Sequence, residues 1–190
     1  MSKVHIGIFG RRNQGKSMLI NALAGQDIAI VSDVAGTTTD PVKKSMEIFG
    51  IGPCVLVDTA GLDDSGEVGE KRVAKSLESL KIIDIALLLI SNNQFGEAEK
   101  EVIEQFKKYD LPFVIVHNKS DIQKLNPQCR QQLETFGAPV IECSAATKQG
   151  LEELIQALVK TTPSSAYCQE NLLDEIIHEG ETIVLVMPQD

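Results

Sequence analysis

Five short apolar runs, rich in β-branched residues, are separated by stretches with helical spacing. The runs lie at 4–9, 53–57, 85–90, 113–117 and 140–142, and helical patterns at 67–81, 97–109, 127–136 and 151–160, with another ending at Ala24. A strand without polar alternation needs cover on both faces, and crossover helices provide it, so the pattern predicts βαβ units and a mostly parallel sheet. Residues 42–49 alternate instead and closely precede 53–57, the signature of an antiparallel hairpin at an edge. The expected fold is a three-layer α/β domain with a mostly parallel six-stranded sheet and one antiparallel edge strand. A chain of 190 residues buries about 70% of its unfolded surface, so neither disulfides nor a metal is required to hold such a core.

Between the first run and the first helix lies GRRNQGKS, residues 10–17, which fits GxxxxGK[ST] in the strand–loop–helix context of a phosphate loop. Such a loop wraps its N–H groups around phosphates, and the helix N-terminus adds positive field. Asn13, Gln14, Gly15, Lys16, Ser17 and Met18 are the residues expected to face a nucleotide. Lys16 would reach the β- and γ-phosphates, and Ser17 would hold magnesium.

The run at 113–117 ends in Asn118-Lys119-Ser120-Asp121. The Asp121 carboxylate can accept two hydrogen bonds from guanine N1–H and the exocyclic amine, whereas adenine offers no matching donors. A hydrogen bond to a charged group is worth about 1.5–3 kcal/mol, enough to select GTP over ATP. The plain alternative is a helix N-cap Asp, but the motif sits at a strand's carboxyl end, where doubly wound sheets bind ligands. Asp58-Thr59-Ala60-Gly61 ends another run: Asp58 suits a magnesium shell through water, and the Gly61 N–H suits the γ-phosphate. Within Gly36-Thr37-Thr38-Thr39-Asp40, Thr38 is the candidate to complete that shell when the γ-phosphate is present, as in a switch. Ser144, Ala145 and Ala146 follow the last run and would bring backbone to the guanine carbonyl.

These motifs, in this order, resemble the translation-factor-type P-loop GTPases and, within them, the TrmE–Era–EngA group, over roughly residues 1–160. The phrases GRRNQGKS, DVAGTTTDPV, DTAGLDDSGEVG and GETIVLVMPQD are most similar to the HydF family of FeFe-hydrogenase maturation GTPases. That resemblance implies a G domain over 1–162, and over 163–190 a linker and the start of a dimerisation-type domain. It also implies a scaffold that receives a di-iron subcluster from radical-SAM maturases and delivers it to FeFe-hydrogenase, and a possible homodimer. The family's iron–sulfur domain is not contained in these residues, so no cluster is assigned to the cysteines here. Two other members of the same broad class remain as alternatives: a tRNA-modification or ribosome-associated GTPase, and the cytosolic G domain of a ferrous-iron transporter.

For hydrolysis, Leu62 stands where many small GTPases carry the glutamine that orients water, and no arginine finger is identifiable. Arg11 and Arg12 read as surface charges, and Glu67 and Glu70 as solvated helix-start carboxylates that could alternatively position water. An arginine finger contributes about 10³–10⁵-fold, so slow intrinsic turnover is expected. Asn13 matches the asparagine that binds potassium in TrmE-type relatives. A potassium ion there would bring positive charge to the phosphates, unless Asn13 only shapes the loop.

Charge and composition narrow the partners. The formal net charge is -9, aromatic residues are 4% and tryptophan is absent, which argues against nonspecific nucleic-acid binding and base-stacking platforms. The longest apolar stretch, 82–90, contains Asp84 and is too short to span a bilayer, so no membrane association and a cytoplasmic location are expected. Cys54, Cys129, Cys143 and Cys168 show no metal-binding spacing and read as reduced thiols. His117 reads as a packing residue, and His5 and His178 show no ligand spacing.

Overall fold

The computed structural model describes residues 3–25, 29–32, 43–59, 80–163 and 166. Its strands are β1 (Val4–Gly10), β2 (Ala29–Ser32), β3 (Lys43–Ile48), β4 (Gly52–Asp58), β5 (Ile85–Ile90), β6 (Phe113–His117) and β7 (Val140–Glu142). The helices are α1 (Lys16–Ala24), α2 (Glu97–Lys108), α3 (Pro127–Glu134) and α4 (Leu151–Thr161). A short 3-10 turn, Leu80–Ile82, precedes β5.

The described strands form one sheet in the order β2-β3-β4-β1-β5-β6-β7. β1 pairs in parallel with β4 and β5, and β5, β6 and β7 continue in parallel. β3 runs antiparallel to both β2 and β4. The expected architecture is therefore present, with one addition. The short strand β2 pairs outside β3, so the antiparallel strand lies one place in from the edge.

Strict side-chain alternation sorts the core into two layers. Leu87 and Leu89 of β5 join Ile6, Ile8, Val114 and Val116 on the face covered by α1 and α4. Ala86, Leu88 and Ile90 join Phe9 and Ile115 on the face covered by α2 and α3. Both faces of β5 are dry, which is why its sequence is unbroken IALLLI. The α2 face is sealed by Phe106, whose ring meets Phe9 edge-on at 5.0 Å and Phe113 at 5.4 Å. On the other side, Leu151, Leu154 and Leu158 recur at helical spacing along α4 and are fully buried, each worth about 1.5–3 kcal/mol.

The carboxyl ends of β1, β4, β6 and β7 converge at one rim, and this is where the motifs lie. After α4, the Thr162 N–H and hydroxyl both donate to the Leu158 carbonyl. The remainder of the expected second segment lies outside the described residues, as does the helix expected at 67–81 except for Leu80 and Lys81, which form part of the 3-10 turn instead. No helix among the described residues is long and apolar enough to cross a membrane.

Candidate functional site

The phosphate loop leaves β1 at Gly10 and enters α1 at Lys16. Gly15 precedes the helix at φ 91°, a left-handed conformation, and no side chain caps the helix. The first turn carries no acidic residue. The N-terminal N–H groups thus keep their capacity and field for an anion. A Cβ on Gly15 would lie 2.5 Å from Asn118 Nδ2, so only glycine permits this close approach. Asn13, at φ 63°, is also left-handed, a conformation that asparagine tolerates.

Inside the loop, Gln14 is buried, and its Oε1 accepts the Arg11 N–H at 2.7 Å. Its side chain thus shapes the turn and is not part of the cavity lining, leaving only its backbone to serve a ligand. Lys16 Nζ donates to the carbonyls of Gly10 and Arg11, both at 2.9 Å. Two main-chain carbonyls therefore hold the ammonium over the loop.

The guanine motif is tied directly to this loop. Asn118, 1% exposed, donates from Nδ2 to the Gln14 carbonyl at 2.9 Å and accepts the Ala145 N–H on Oδ1 at 3.0 Å. One side chain thus spans three segments. Lys119, left-handed at φ 60°, donates from Nζ to the Asn13 carbonyl at 2.7 Å. Ser120 N–H bonds the Cys143 carbonyl, and Ser144 Oγ accepts the Thr147 N–H, which folds the last loop back on itself. Asp121 is exposed at the mouth.

These segments enclose a cavity of about 800 Å³. Asn13, Gly15, Lys16, Ser17 and Met18 line one side; Asn118, Lys119, Asp121, Ser144, Ala145 and Ala146 line the other, with Arg12 and Ile122 at the margin. The expected residues of three motifs are thus brought together, except for the inward-turned Gln14 side chain. Thr38, Gly61 and Leu62, together with Glu67 and Glu70, lie outside the described residues. Among the described residues no cluster of three or more His, Cys, Asp or Glu forms a metal site. Ser17 Oγ donates to Asp58 Oδ2 at 2.8 Å, while the buried Asp58 Oδ1 has no partner among the described residues. An orphaned carboxylate oxygen beside a serine hydroxyl fits the hard oxygen donors that magnesium prefers. When bound, that ion would neutralise phosphate charge.

Arg11 corrects the expectation of a surface charge. Its Nε and Nη2 grip both carboxylate oxygens of Glu99 at 2.5 and 2.7 Å. Glu99 is fully buried at the start of α2 and also accepts the Gly96 N–H at 2.9 Å. A buried carboxylate needs such a partner. Burial alone would raise its pKa, but the bonds from Arg11 and Gly96 and the guanidinium charge together hold it below the ordinary carboxylate value. Arg12 is exposed, as expected. Glu99 escaped the sequence reading because its place on α2 resembles any solvated helix-start acid.

His117 is fully buried, as a packing residue should be; Nε2 accepts the Asn93 N–H at 3.4 Å, and burial lowers its pKa. Burial pushes the thiols of Cys54 and Cys143 up to about 12, which removes both as nucleophiles at neutral pH. Cys168 and His178 lie outside the described residues.

Residues 5–119 match the family model for the 50S ribosome-binding GTPase. The chain belongs to this GTPase family. It is 38% identical over 160 residues to the tRNA modification GTPase MnmE of Nitrosomonas europaea, covering 83% of this chain and 34% of that protein. It is 34% identical over 186 residues to GTPase Der of Campylobacter hominis, covering 96% of this chain and 40% of that protein. A single-residue variant of Aquifex aeolicus Era, bound to GDP and AlF4-, superposes with a TM-score of 0.69 at 25% identity over 86% of this chain and 58% of that one. A TrmE/Era/Der-type G domain is thus established. The chain spans only a third to two-fifths of the curated relatives it matches.

Proposed function

We propose that this chain is a GTP-hydrolysing switch: it binds magnesium-GTP in the 800 Å³ cavity and signals the γ-phosphate through Thr38 and Gly61. The observation that carries this reading is Asn118, whose amide ties the phosphate loop to the guanine-side loop. In the mechanism, Lys16 leans its charge on the phosphates, Ser17 and Asp58 hold the metal, and Asp121 selects the base. Asn13 lines the cavity and would seat potassium beside the phosphates. With Leu62 unable to orient water, turnover is slow, and a potassium ion held by Asn13 would raise it by bringing positive charge to the phosphates.

The finer reading is the switch of a scaffold that carries a metallocofactor for FeFe-hydrogenase, working in the cytoplasm with radical-SAM maturases and the hydrogenase, and able to pair as a homodimer. It is supported by the switch phrases DVAGTTTDPV and DTAGLDDSGEVG and by GETIVLVMPQD at 180–190. A tRNA-modification role is the second reading. It is favoured by the MnmE identity, so the named relatives weigh on its side. That match reaches 34% of MnmE, and so speaks more to the switch than to its partner. The charge of -9 speaks against RNA.

The test of the switch is GTP turnover in KCl and in NaCl at equal ionic strength, for wild type and Asn13→Ala. Faster turnover in KCl that Asn13→Ala abolishes supports the potassium seat; equal rates with a silent variant remove it. Absence of turnover in either salt removes the enzyme reading. For the partner, the GTP-loaded chain is titrated separately with a purified radical-SAM maturase and with tRNA. Nucleotide-dependent retention of the maturase supports the scaffold, and retention of tRNA transfers the chain to the second reading.

A further inference from the structure

The segment that carries Asp121 has two ends, and each is held differently. Its front is held by Asn118 and Lys119, as described above. Behind Asp121, the Ile122 and Gln123 N–H groups turn back to the Lys119 carbonyl. Beyond that turn, residues 124–126 are held by two side chains from elsewhere in the chain.

Asn93 supplies most of this hold. Its Nδ2 donates to the Lys124 carbonyl at 3.1 Å, and its Oδ1 accepts the Asn126 N–H at 2.8 Å. Its own N–H is engaged with His117, the residue before the guanine motif. Asn93 sits at φ 55° in the turn after β5, next to Asn92 at φ 54°, so the backbone aims this amide through a conformation few side chains tolerate. Glu142, at the end of β7, completes the hold. Its Oε2 accepts the Leu125 N–H at 3.1 Å, while Oε1 is held at 2.5 Å by Arg130. Three consecutive residues thus each have a backbone group bonded from outside the loop.

We propose that Asn93, supported by Glu142, is a specificity-positioning residue: it fixes the rear of the loop so that both oxygens of Asp121 stay in the plane of the guanine edge. A single hydrogen bond pivots and survives a small loop shift. A paired contact needs both oxygens in register, so it weakens first when the loop loosens. The inference rests on the reading of Asp121 as the guanine acceptor.

The probes are GDP and IDP, each with magnesium, measured by titration calorimetry on the full chain. Hypoxanthine keeps N1–H and lacks the exocyclic amine, so IDP can make only one of the two bonds. Wild type should bind GDP about tenfold or more tightly than IDP, the worth of one hydrogen bond to a charged group. Asn93→Gly keeps the left-handed backbone and removes the amide. It should shrink the GDP:IDP ratio at least threefold while IDP affinity changes less than twofold. Asn93→Asp keeps the acceptor for Asn126 and loses the donor to Lys124, so its ratio should fall between the two; it carries the test if the glycine variant does not fold. Glu142→Gln, which retains an acceptor for Leu125, should stay closer to wild type than Glu142→Ala. An unchanged ratio in these variants, or equal weakening of both nucleotides, overturns the proposal. A wild type with no preference for GDP instead overturns the reading of Asp121 itself.

Discussion

Replacing Arg11 with methionine should damage the fold more than replacing its partner, and the structure gives the reason. Glu99 is fully buried, whereas the Arg11 side chain is 31% exposed. Arg11→Met leaves a buried carboxylate with the Gly96 N–H as its remaining partner of those described, and breaking a buried pair from one side costs about 3–5 kcal/mol. Because water reaches Arg11, the lower end, about 3 kcal/mol, is expected. Glu99→Gln is nearly isosteric and leaves a cation that can turn to solvent, so about 1–2 kcal/mol is expected. The double variant should recover much of the loss, since it leaves no buried charge. Urea unfolding at pH 7 measures all four proteins. With a slope of up to about 3 kcal/mol per molar urea, Arg11→Met should lower the midpoint by about 1 M or more.

The pH dependence carries a second signature. In the wild type the folded Glu99 pKa lies below its unfolded value, so its contribution is present above the unfolded value of 4.5 and is lost as pH falls through the folded one. In Arg11→Met, burial without the guanidinium raises the folded pKa, and the variant should regain stability as pH falls. Equal losses in the two single variants, additive in the double, with no reversed pH trend would refute the reasoning.

Asn118→Ala removes both ties of the hub and should weaken GDP binding by about tenfold or more, by calorimetry, with a smaller effect on urea stability. Gly150→Ala should destabilise the domain by at least about 1–3 kcal/mol, because φ is 75° and the new Cβ would collide with the Glu142 carbonyl; a urea midpoint equal to wild type would contradict this. His117 has a folded pKa below its unfolded value of 6.5, so its neutral burial costs stability as pH falls below about 6.5; this slope should vanish in His117→Gln when stability is followed from pH 7 to 5. Cys54 and Cys143 should resist maleimide at pH 8 until urea unfolds the chain, as read by peptide mass spectrometry; rapid labelling of either in the native state would be inconsistent with their burial.

The chemistry of the cavity was legible in the chain because it is local. GRRNQGKS carries its conformational demands in adjacent residues: a glycine at a left-handed φ of 91°, and a lysine within reach of the loop's own carbonyls. The apolar runs that became β1, β4, β5, β6 and β7 were equally plain, since burial on both faces leaves no room for polar alternation. The strand β2 was missed because its four residues, AIVS, are too few to show any period, and it exists by pairing with β3. Arg11 looked like a surface charge for a similar reason: its partner is 88 positions away.

Local sequence therefore determined which groups line the cavity, because consecutive residues share one turn of backbone. Tertiary structure alone decided how those groups are held: Glu99 behind Arg11, and Asn93 and Glu142 behind the guanine loop. Those contacts join residues whose separation along the chain carries no period, and they form only when crossover helices bring the carboxyl ends of parallel strands to the same rim.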